Sequence, residues 1–183
     1  AERLTWITGF TGSAGLAIVL SKKAAFFTDG RYTIQARDEV NAKEFEIYSI
    51  SPDQQPTPTM MPNEWLEKNL PKGAKFGVDP WLHTPNDIKR LKETVEKAGG
   101  VLVFVETNPL DAAWKDQPPV PLAPGVPHTL QFAGKDSAEK RRDLAKALAE
   151  KNTDALAITL PEEICWLLNI RGGELLRPFE RHD

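Results

Sequence analysis

Short apolar runs and polar turns alternate along the first part of the chain. Residues 16–20 and residues 24–28 are apolar runs of strand length, separated by three polar residues. This spacing predicts two strands joined by a tight turn. Thr28 or Asp29 can then cap a helix that ends near Asp38.

A strand pattern then gives way to a proline-rich segment. Apolar residues alternate with polar neighbours over residues 45–50, as expected for a half-buried strand. Residues 51–62 contain four of the 15 prolines of the chain. We therefore expect an irregular connection there.

The helix with the clearest signals begins after residue 84. Thr84 is suited to the N-cap, Pro85 to the first helical position and Asp87 to the first turn. Gly99 and Gly100 supply a stop signal. The apolar residues between these signals recur at helical spacing, at Ile88, Leu91, Val95 and Ala98.

Apolar runs precede and follow this helix. Residues 75–79 are predicted to form one strand. Residues 101–105 form a continuous apolar run, which is typical of a strand covered on both faces. The succession of strand, helix and strand predicts an α/β fold for a first domain, residues 1–115.

A change in composition marks the end of this domain. Residues 116–127 contain five of the 15 prolines, which indicates a stiff, extended linker. Residues 128–183 are then an incomplete second domain. In it, Asp136 and Glu139 resemble a capping pair at the start of a helix that ends near Lys151.

A second tryptophan-containing segment suggests an internal repeat. Residues 155–160 read as a strand, and Pro161 opens an apolar helix that contains Trp166. When the chain is compared with itself at an offset of 160 residues, Trp166 aligns with Trp6 and Gly172 with Gly12. If this repeat is real, each copy lacks elements that the other has, so we expect a fragment at both ends.

Composition excludes several classes of protein. The 183 residues are 40% hydrophobic and carry a net charge of −3, which is not the basic surface of a nucleic-acid-binding protein. No apolar stretch reads as a membrane span or a signal peptide. The single cysteine, Cys165, fits a reducing cytoplasm. The chain opens on Ala1 rather than Met, which suggests a trimmed or processed product.

A glycine-rich segment is the first candidate for chemistry. Gly9, Gly12 and Gly15 punctuate a loop that superficially resembles a phosphate-binding turn. Its spacing matches neither a dinucleotide fingerprint nor a P-loop, and a predicted strand follows it where a helix would be required. A tight turn into the hairpin is the favoured interpretation, and anion binding is the alternative.

The remaining candidates have no partners in the sequence. No metal-binding pattern surrounds His83, His128 or His182, and neither Ser13 nor Cys165 has the context of a nucleophile. We therefore assign no catalytic, cofactor-binding or metal-binding residue. For Asp29, Arg31 and Arg171, a turn or surface role is favoured over carboxylate binding. For the five tryptophans, a core or interface role is favoured over base stacking: Trp6, Trp65, Trp81, Trp114 and Trp166.

Two motifs together resemble a known family. Residues 4–15 read LTWITGFTGSAG, and residues 27–32 read FTDGRY. Both resemble the creatinase/prolidase-type N-terminal domain of Xaa-Pro aminopeptidases. Residues 108–114, the proline-rich linker and residues 164–172 resemble the passage into a second such domain.

This resemblance implies a mixed sheet between helices, with ribonuclease H-like topology, in each of two related copies. It also implies metal-dependent release of an N-terminal residue that precedes proline, carried out by a C-terminal catalytic domain that binds two metals, usually manganese. The ligand positions of that domain do not occur in this chain. The family members begin with a helix and a strand ahead of Trp6, which are absent here, and the segment after Gly172 departs from the family pattern.

The expected function is that of a non-catalytic N-terminal part of such an enzyme, which limits access to the active site and builds a dimer interface. By itself the chain is then inactive. Its expected partners are its own C-terminal catalytic domain, a second copy and, through the whole enzyme, proline-containing peptides. The alternative is a free-standing binding or dimerisation module.

Overall fold

A computed structural model of the chain describes residues 3–52, 55–119 and 122–172. The chain divides into two compact units, Ala1–Gln117 and Pro118–Asp183. Both contain helices and short strands, so the predicted α/β class is confirmed. Within the described part, no helix combines the length and the apolar character needed to cross a membrane.

The first unit contains a three-stranded sheet, a two-stranded sheet, five α-helices and one 3-10 helix, Pro80–Leu82, among its described residues. The strands are β1 (Gly15–Val19), β2 (Ala24–Thr28), β3 (Glu46–Ser49), β4 (Lys75–Val78) and β5 (Val101–Phe104). The helices are α1 (Arg3–Thr8), α2 (Thr33–Glu39), α3 (Pro62–Asn69), α4 (Pro85–Lys97) and α5 (Pro109–Ala113).

The sheets combine antiparallel and parallel pairs. Strand β2 lies between β1, which is antiparallel to it, and β3, which is parallel. In the other sheet β4 and β5 are parallel. Helix α4 joins β4 to β5 in a βαβ unit, and its N-terminus carries the predicted capping box between Thr84 and Asp87.

The three-stranded sheet has a core on each face, because successive side chains of a strand point to opposite sides. Ala25 and Phe27 of β2 belong to the first core, whereas Phe26 belongs to the second. The first core consists of Ile18, Ala25, Phe27, Trp65, Leu66, Leu70 and Val95. The second core consists of Phe10, Phe26, Ala36, Val40 and Phe45.

In the second unit, the described helices are α6 (Leu130–Ala133), α7 (Ser137–Glu150) and α8 (Pro161–Leu168). Strands β6 (Gly125–Pro127) and β7 (Ile170–Gly172) form an antiparallel pair. Strand β6 therefore uses the last three residues of the predicted linker. The tail from Gly173 lies outside the described residues.

Two predicted boundaries differ from the structure. Helix α2 begins at Thr33 and not directly after Thr28 or Asp29. The Asp29 carboxylate instead accepts a hydrogen bond from the backbone N–H of Arg31, which holds a turn ahead of the helix. Helix α3 was not predicted, because Pro62 reads as a loop residue but occupies its first turn.

Two predicted strand features are wrong. Strand β5 is not covered on both faces, since Val101 and Phe104 are more than half exposed. Residues 155–160 form no regular strand, because no described segment of the second unit supplies a backbone partner for them. A strand needs such a partner, whereas a helix satisfies its hydrogen bonds internally.

Candidate functional site

The glycine-rich loop between α1 and β1 is filled by side chains of the first unit. The Phe10 ring is fully buried and packs 4.8 Å from the ring of Phe26 and 5.8 Å from that of Tyr32, measured between ring centroids. A Cβ atom placed on Gly12 would lie 2.3 Å from the Phe10 ring. The glycine at this position is thus required by close packing.

Helix α2 supplies the hydrogen-bond partners of Thr11 in this loop. The backbone N–H and the hydroxyl of Thr11 each donate to the carboxylate of Glu39, at 2.8 Å. Gln35 Nε2 donates to the same carboxylate at 3.0 Å. The hydrogen bond from the Thr11 N–H lowers the pKa of Glu39. Because Glu39 already occupies this donor, the geometry favours a tight turn over an anion site.

In the turn after β2, Asp29 and Arg31 form an ion pair with each other. The guanidinium of Arg31 donates to both carboxylate oxygens of Asp29, at 3.0 and 2.8 Å, and this pairing lowers the pKa of Asp29. The guanidinium also lies 5.2 Å from the centre of the Tyr32 ring. Tyr32 is in turn hydrogen-bonded to Ser13 at 2.7 Å. The contact between Ser13 and Tyr32 joins the two sequence motifs, residues 4–15 and residues 27–32. The Asp29–Arg31 pair gives this turn a structural role.

In the part of the chain that the structure describes, His83, His128 and Cys165 are not assembled into a site. His83 Nδ1 lies 2.9 Å from the carbonyl oxygen of Asp79, and the His128 ring stacks on Phe132. His182 lies outside the described residues. Cys165 is half-buried on α8. Among the residues that the structure describes, no group of three or more His, Cys, Asp or Glu residues could hold a metal ion.

The most specific polar contact of the first unit joins its ends. Arg3 donates two hydrogen bonds, both 2.7 Å, to the carboxylate of Asp111, and the two side chains are each 30% exposed. Three residues further along the chain from each partner, the rings of Trp6 in α1 and of Trp114, the C-cap residue of α5, stack with 5.4 Å between their centroids. We call these two contacts the α1–α5 clasp.

The clasp was not predicted from the sequence, although one signal for it was present. Arg3 and Trp6 have the same three-residue spacing as Asp111 and Trp114. Residues at this spacing share a helix face, so two such faces can make a charged and an aromatic contact at once.

In the second unit, a buried lysine of α7 contacts helix α8, which contains Trp166. Lys140 is only 4% exposed, and its ammonium lies 4.4 Å from the centre of the Trp166 ring. It donates to the carbonyl oxygen of Trp166 at 2.8 Å and to Oδ1 of Asn169 at 2.7 Å. Arg171 follows on strand β7, where it is exposed, in agreement with the favoured surface role.

Helices α1 and α8, which contain Trp6 and Trp166, end in the same way. Gly9 after α1 and Asn169 after α8 have positive φ angles of 77° and 52°. The N–H of Gly9 donates to the carbonyl of Thr5, and the N–H of Asn169 to that of Cys165. Each of these positions is separated from its counterpart by the 160-residue offset at which the sequence repeats.

Comparison with known proteins agrees with this repetition. Residues 1–110 and residues 116–177 match two family models that carry the same description, creatinase/prolidase N-terminal domain. The chain belongs to this family. Its second copy includes the first residues of the tail that departs from the expected pattern.

The relatives of this creatinase/prolidase N-terminal chain are aminopeptidases. It is 37% identical to aminopeptidase P2 of Arabidopsis thaliana and 39% identical to a probable Xaa-Pro aminopeptidase P of Ajellomyces dermatitidis. The matches cover 94% of this chain but 24% and 27% of those relatives. The chain therefore spans about a quarter of their length.

A solved structure shows the same relationship. The X-prolyl aminopeptidase of Caenorhabditis elegans, a cytosolic enzyme with a di-nuclear active site, is 30% identical and superposes with a TM-score of 0.75. The match covers 93% of this chain and 27% of that enzyme.

Proposed function

We propose that this chain is the non-catalytic N-terminal portion of an Xaa-Pro aminopeptidase-like metallopeptidase. The observation that carries the proposal is the consecutive match of residues 1–110 and 116–177 to creatinase/prolidase N-terminal models, within relatives that are about four times longer. In the whole enzyme, hydrolysis of the bond before proline would be carried out by a C-terminal domain, the chain's first partner, with two divalent metals that we propose to be manganese.

The proposed domain division rests on the proline-rich composition of residues 116–127. It assigns residues 1–115 to a first domain, residues 116–127 to a linker and residues 128–183 to an incomplete second domain. The two compact units, which part after Gln117, support this division. We further propose that the two domains limit access of peptides to the active site, take part in a homo-oligomer, and act in the cytoplasm.

Turnover of a proline-containing peptide tests this proposal. The purified 183-residue chain is incubated with manganese and a peptide with proline in second position, and release of the first residue is measured. A full-length X-prolyl aminopeptidase serves as the positive control. We expect turnover by the control and none by the chain. Metal-dependent turnover by the chain would contradict the proposal, because the metal ligands would then have to lie within it.

A free-standing dimerisation module is the second candidate. It is favoured by the exposure of large apolar side chains in the second unit, where Leu160 is 56% and Trp166 62% exposed. Light scattering of the purified chain tests whether it forms a dimer, and the mass of the native protein separates a free-standing module from a part of a longer enzyme. A stable dimer that Trp166→Ala disrupts would support the module, whereas a monomer at all concentrations would remove it.

A further inference from the structure

The turn after β2 contains the single Asp–Gly dipeptide of the chain, Asp29–Gly30, and the sequence has no Asn–Gly dipeptide. In an Asp–Gly dipeptide, the backbone nitrogen of the glycine can attack the side-chain carboxyl carbon of the aspartate. Glycine allows this approach because it has no Cβ atom and a wide range of backbone conformations. Asp29–Gly30 is therefore the place in this chain where isomerisation of an aspartate is chemically easiest.

The isomerisation of such an aspartate needs only its acid form and water. The Gly30 nitrogen forms a bond to Cγ of Asp29, and the carboxyl OH group leaves with the N–H proton as water. Hydrolysis of the resulting cyclic imide takes that water up again. When the ring opens at the former backbone carbonyl, the chain continues through the side-chain carboxyl group as isoaspartate, an isomer of the same mass.

The structure holds the carboxyl group of Asp29 in its unreactive form. The Arg31 guanidinium donates to both carboxylate oxygens, and the Arg31 backbone N–H donates to Oδ1 at 3.0 Å. These bonds lower the pKa of Asp29, so its acid form is rarer than in an unfolded chain. They also keep the carboxylate from rotating towards the Gly30 nitrogen. Water still reaches the Asp29 side chain, which is 23% exposed.

The attacking group is held as well, by a residue that follows the neighbouring strand. The Gly30 N–H donates to Oγ of Ser51 at 3.1 Å. Strands β2 and β3 are parallel, so Gly30 and Ser51 both lie beyond the carboxyl ends of adjacent strands. Ser49, which is fully buried, fixes Ser51: its hydroxyl donates to the Ser51 carbonyl at 3.0 Å and accepts from the Ser51 N–H at 3.1 Å. The Gly30 N–H thus points at Ser51 and away from Asp29.

We infer that Asp29–Gly30 is an isoaspartate-forming site, which the fold keeps closed through Arg31 and Ser51. Opening either contact releases one of the two reacting groups. Isoaspartate adds a methylene group to the backbone, so the turn bond from the Tyr32 N–H to the Asp29 carbonyl loses its geometry. The modified chain is then a substrate for enzymes that methylate L-isoaspartyl residues. This inference does not depend on the aminopeptidase function proposed above.

The rate of isoaspartate formation in the complete 183-residue chain tests the inference. The chain and a synthetic peptide of residues 25–35 are incubated in parallel at neutral pH. Isoaspartate is measured by methylation with an L-isoaspartyl methyltransferase and located by electron-transfer fragmentation, which distinguishes the two isomers. We expect the peptide to form isoaspartate at residue 29 about tenfold faster, because the folded turn opens only rarely. Equal rates, or no isoaspartate in the peptide, would overturn the inference.

Substitutions at the two holding residues separate their contributions. Arg31→Ala frees the carboxylate and Ser51→Ala frees the N–H, and each should raise the rate about fivefold, as expected for the loss of a hydrogen bond. Ser51→Thr keeps the hydroxyl and should leave the rate unchanged. Ser13→Ala is the matched control, because it removes the bond to Tyr32 in the same turn but touches neither reacting group. If Ser13→Ala raises the rate as much as the other two, or if neither of them raises it, the inference fails.

Urea gives a test that does not rely on the folding of variants. In the unmodified chain, the rate of isoaspartate formation at residue 29 should rise with the fraction of unfolded protein, which circular dichroism measures in the same samples. A rate that stays constant through the unfolding transition would refute the protection by the fold. Asp29→Glu identifies the reacting residue, since glutamate would have to form a larger ring, and it should abolish the isoaspartate signal. Persistence of that signal would place the reaction elsewhere in the chain and contradict the inference.

Discussion

Helix α1 of the first unit and helix α8 of the second unit occupy equivalent positions in the repeat, but they bury their tryptophans to different extents. Trp6 is 41% exposed and stacks on Trp114, while Trp166 is 62% exposed and contacts the Lys140 ammonium. All described buried apolar side chains belong to the first unit. In the second unit, Lys140 is the one described residue that is buried.

This difference shows that local sequence specifies the helix itself, whereas elements distant in the sequence determine how far its side chains are buried. Each helix begins, carries its tryptophan and ends in a left-handed residue because of signals within a few residues. The first unit adds strands on which its helices can pack, and burial follows. The described part of the second unit adds one two-stranded ribbon and α7, which leave most apolar side chains of α8 accessible.

The largest effect is expected from breaking the core of the first unit. Trp65 is 1% exposed, and its indole N–H donates to Glu46 at 2.6 Å. Trp65→Ala should cost about 3 to 5 kcal/mol, because it creates a cavity and leaves a hydrogen bond unmade. Urea unfolding followed by circular dichroism measures this loss. Trp81→Ala is the control, since Trp81 is 92% exposed. A similar loss in both variants would contradict the described core.

A smaller effect is expected in the second unit from its buried lysine. Lys140→Met keeps the length of the side chain but removes the donors to Trp166 and Asn169. We expect a loss of about 1 to 3 kcal/mol, because the carbonyl oxygen of Trp166 and the amide oxygen of Asn169 lose a charged donor in a partly buried setting. Tryptophan fluorescence during unfolding reports this change. Lys146→Met, at an exposed position of the same helix, should change little. No difference between the two variants would mean that Lys140 does not hold α8.

The left-handed residues allow a direct comparison of the repeats. Gly9→Ala should destabilise the first unit by about 1 to 2 kcal/mol, since alanine is strained at positive φ. A Cβ atom there would also lie 3.1 Å from the Glu39 carbonyl oxygen. Asn169→Gly tests the counterpart, because glycine keeps the backbone conformation and removes only the side-chain contacts with Lys140 and Lys135. Its thermal stability should fall less than that of Gly9→Ala. The opposite order would show that the side chain of Asn169, and not its backbone conformation, fixes this end.

The smallest effect is expected from the charged half of the clasp. The hydrogen bonds from Arg3 lower the pKa of Asp111. The stabilisation is therefore complete above the pKa of Asp111 in the unfolded chain, near 4, and is lost as the pH falls through the lower pKa of the folded state. Asp111→Asn should lower the melting temperature slightly at pH 7 and leave it unchanged at pH 2. An equal decrease at both pH values would argue against an ionic contribution.

Local signals explain which elements could be predicted. The hairpin of β1 and β2 and the capped helix α4 follow from residues within one or two turns of the chain, and the structure confirms both. Helix α3 was missed because a proline at the first turn and a proline in a loop look the same in a sequence. The exposure of β5 and the absence of a strand at residues 155–160 depend on partners that no local pattern reveals.

The candidate site likewise has a part that could be predicted from local sequence and a part that could not. The sequence motifs could be recognised as a family resemblance, but their contacts could not. The donor of Thr11 meets Glu39 across 28 residues, and Arg3 meets Asp111 across 108 residues. Such pairings require the fold itself, because one sequence gives no information on which distant charges meet.

The mass of the native protein tests the central claim most directly. It can be measured by immunoaffinity capture from its own cells followed by intact mass spectrometry. If this chain is the N-terminal portion of an aminopeptidase, its mass should be several times 20.4 kDa, since the relatives are about four times longer. A native mass near 20.4 kDa would contradict the claim, because the cell would then produce these two units without a catalytic domain.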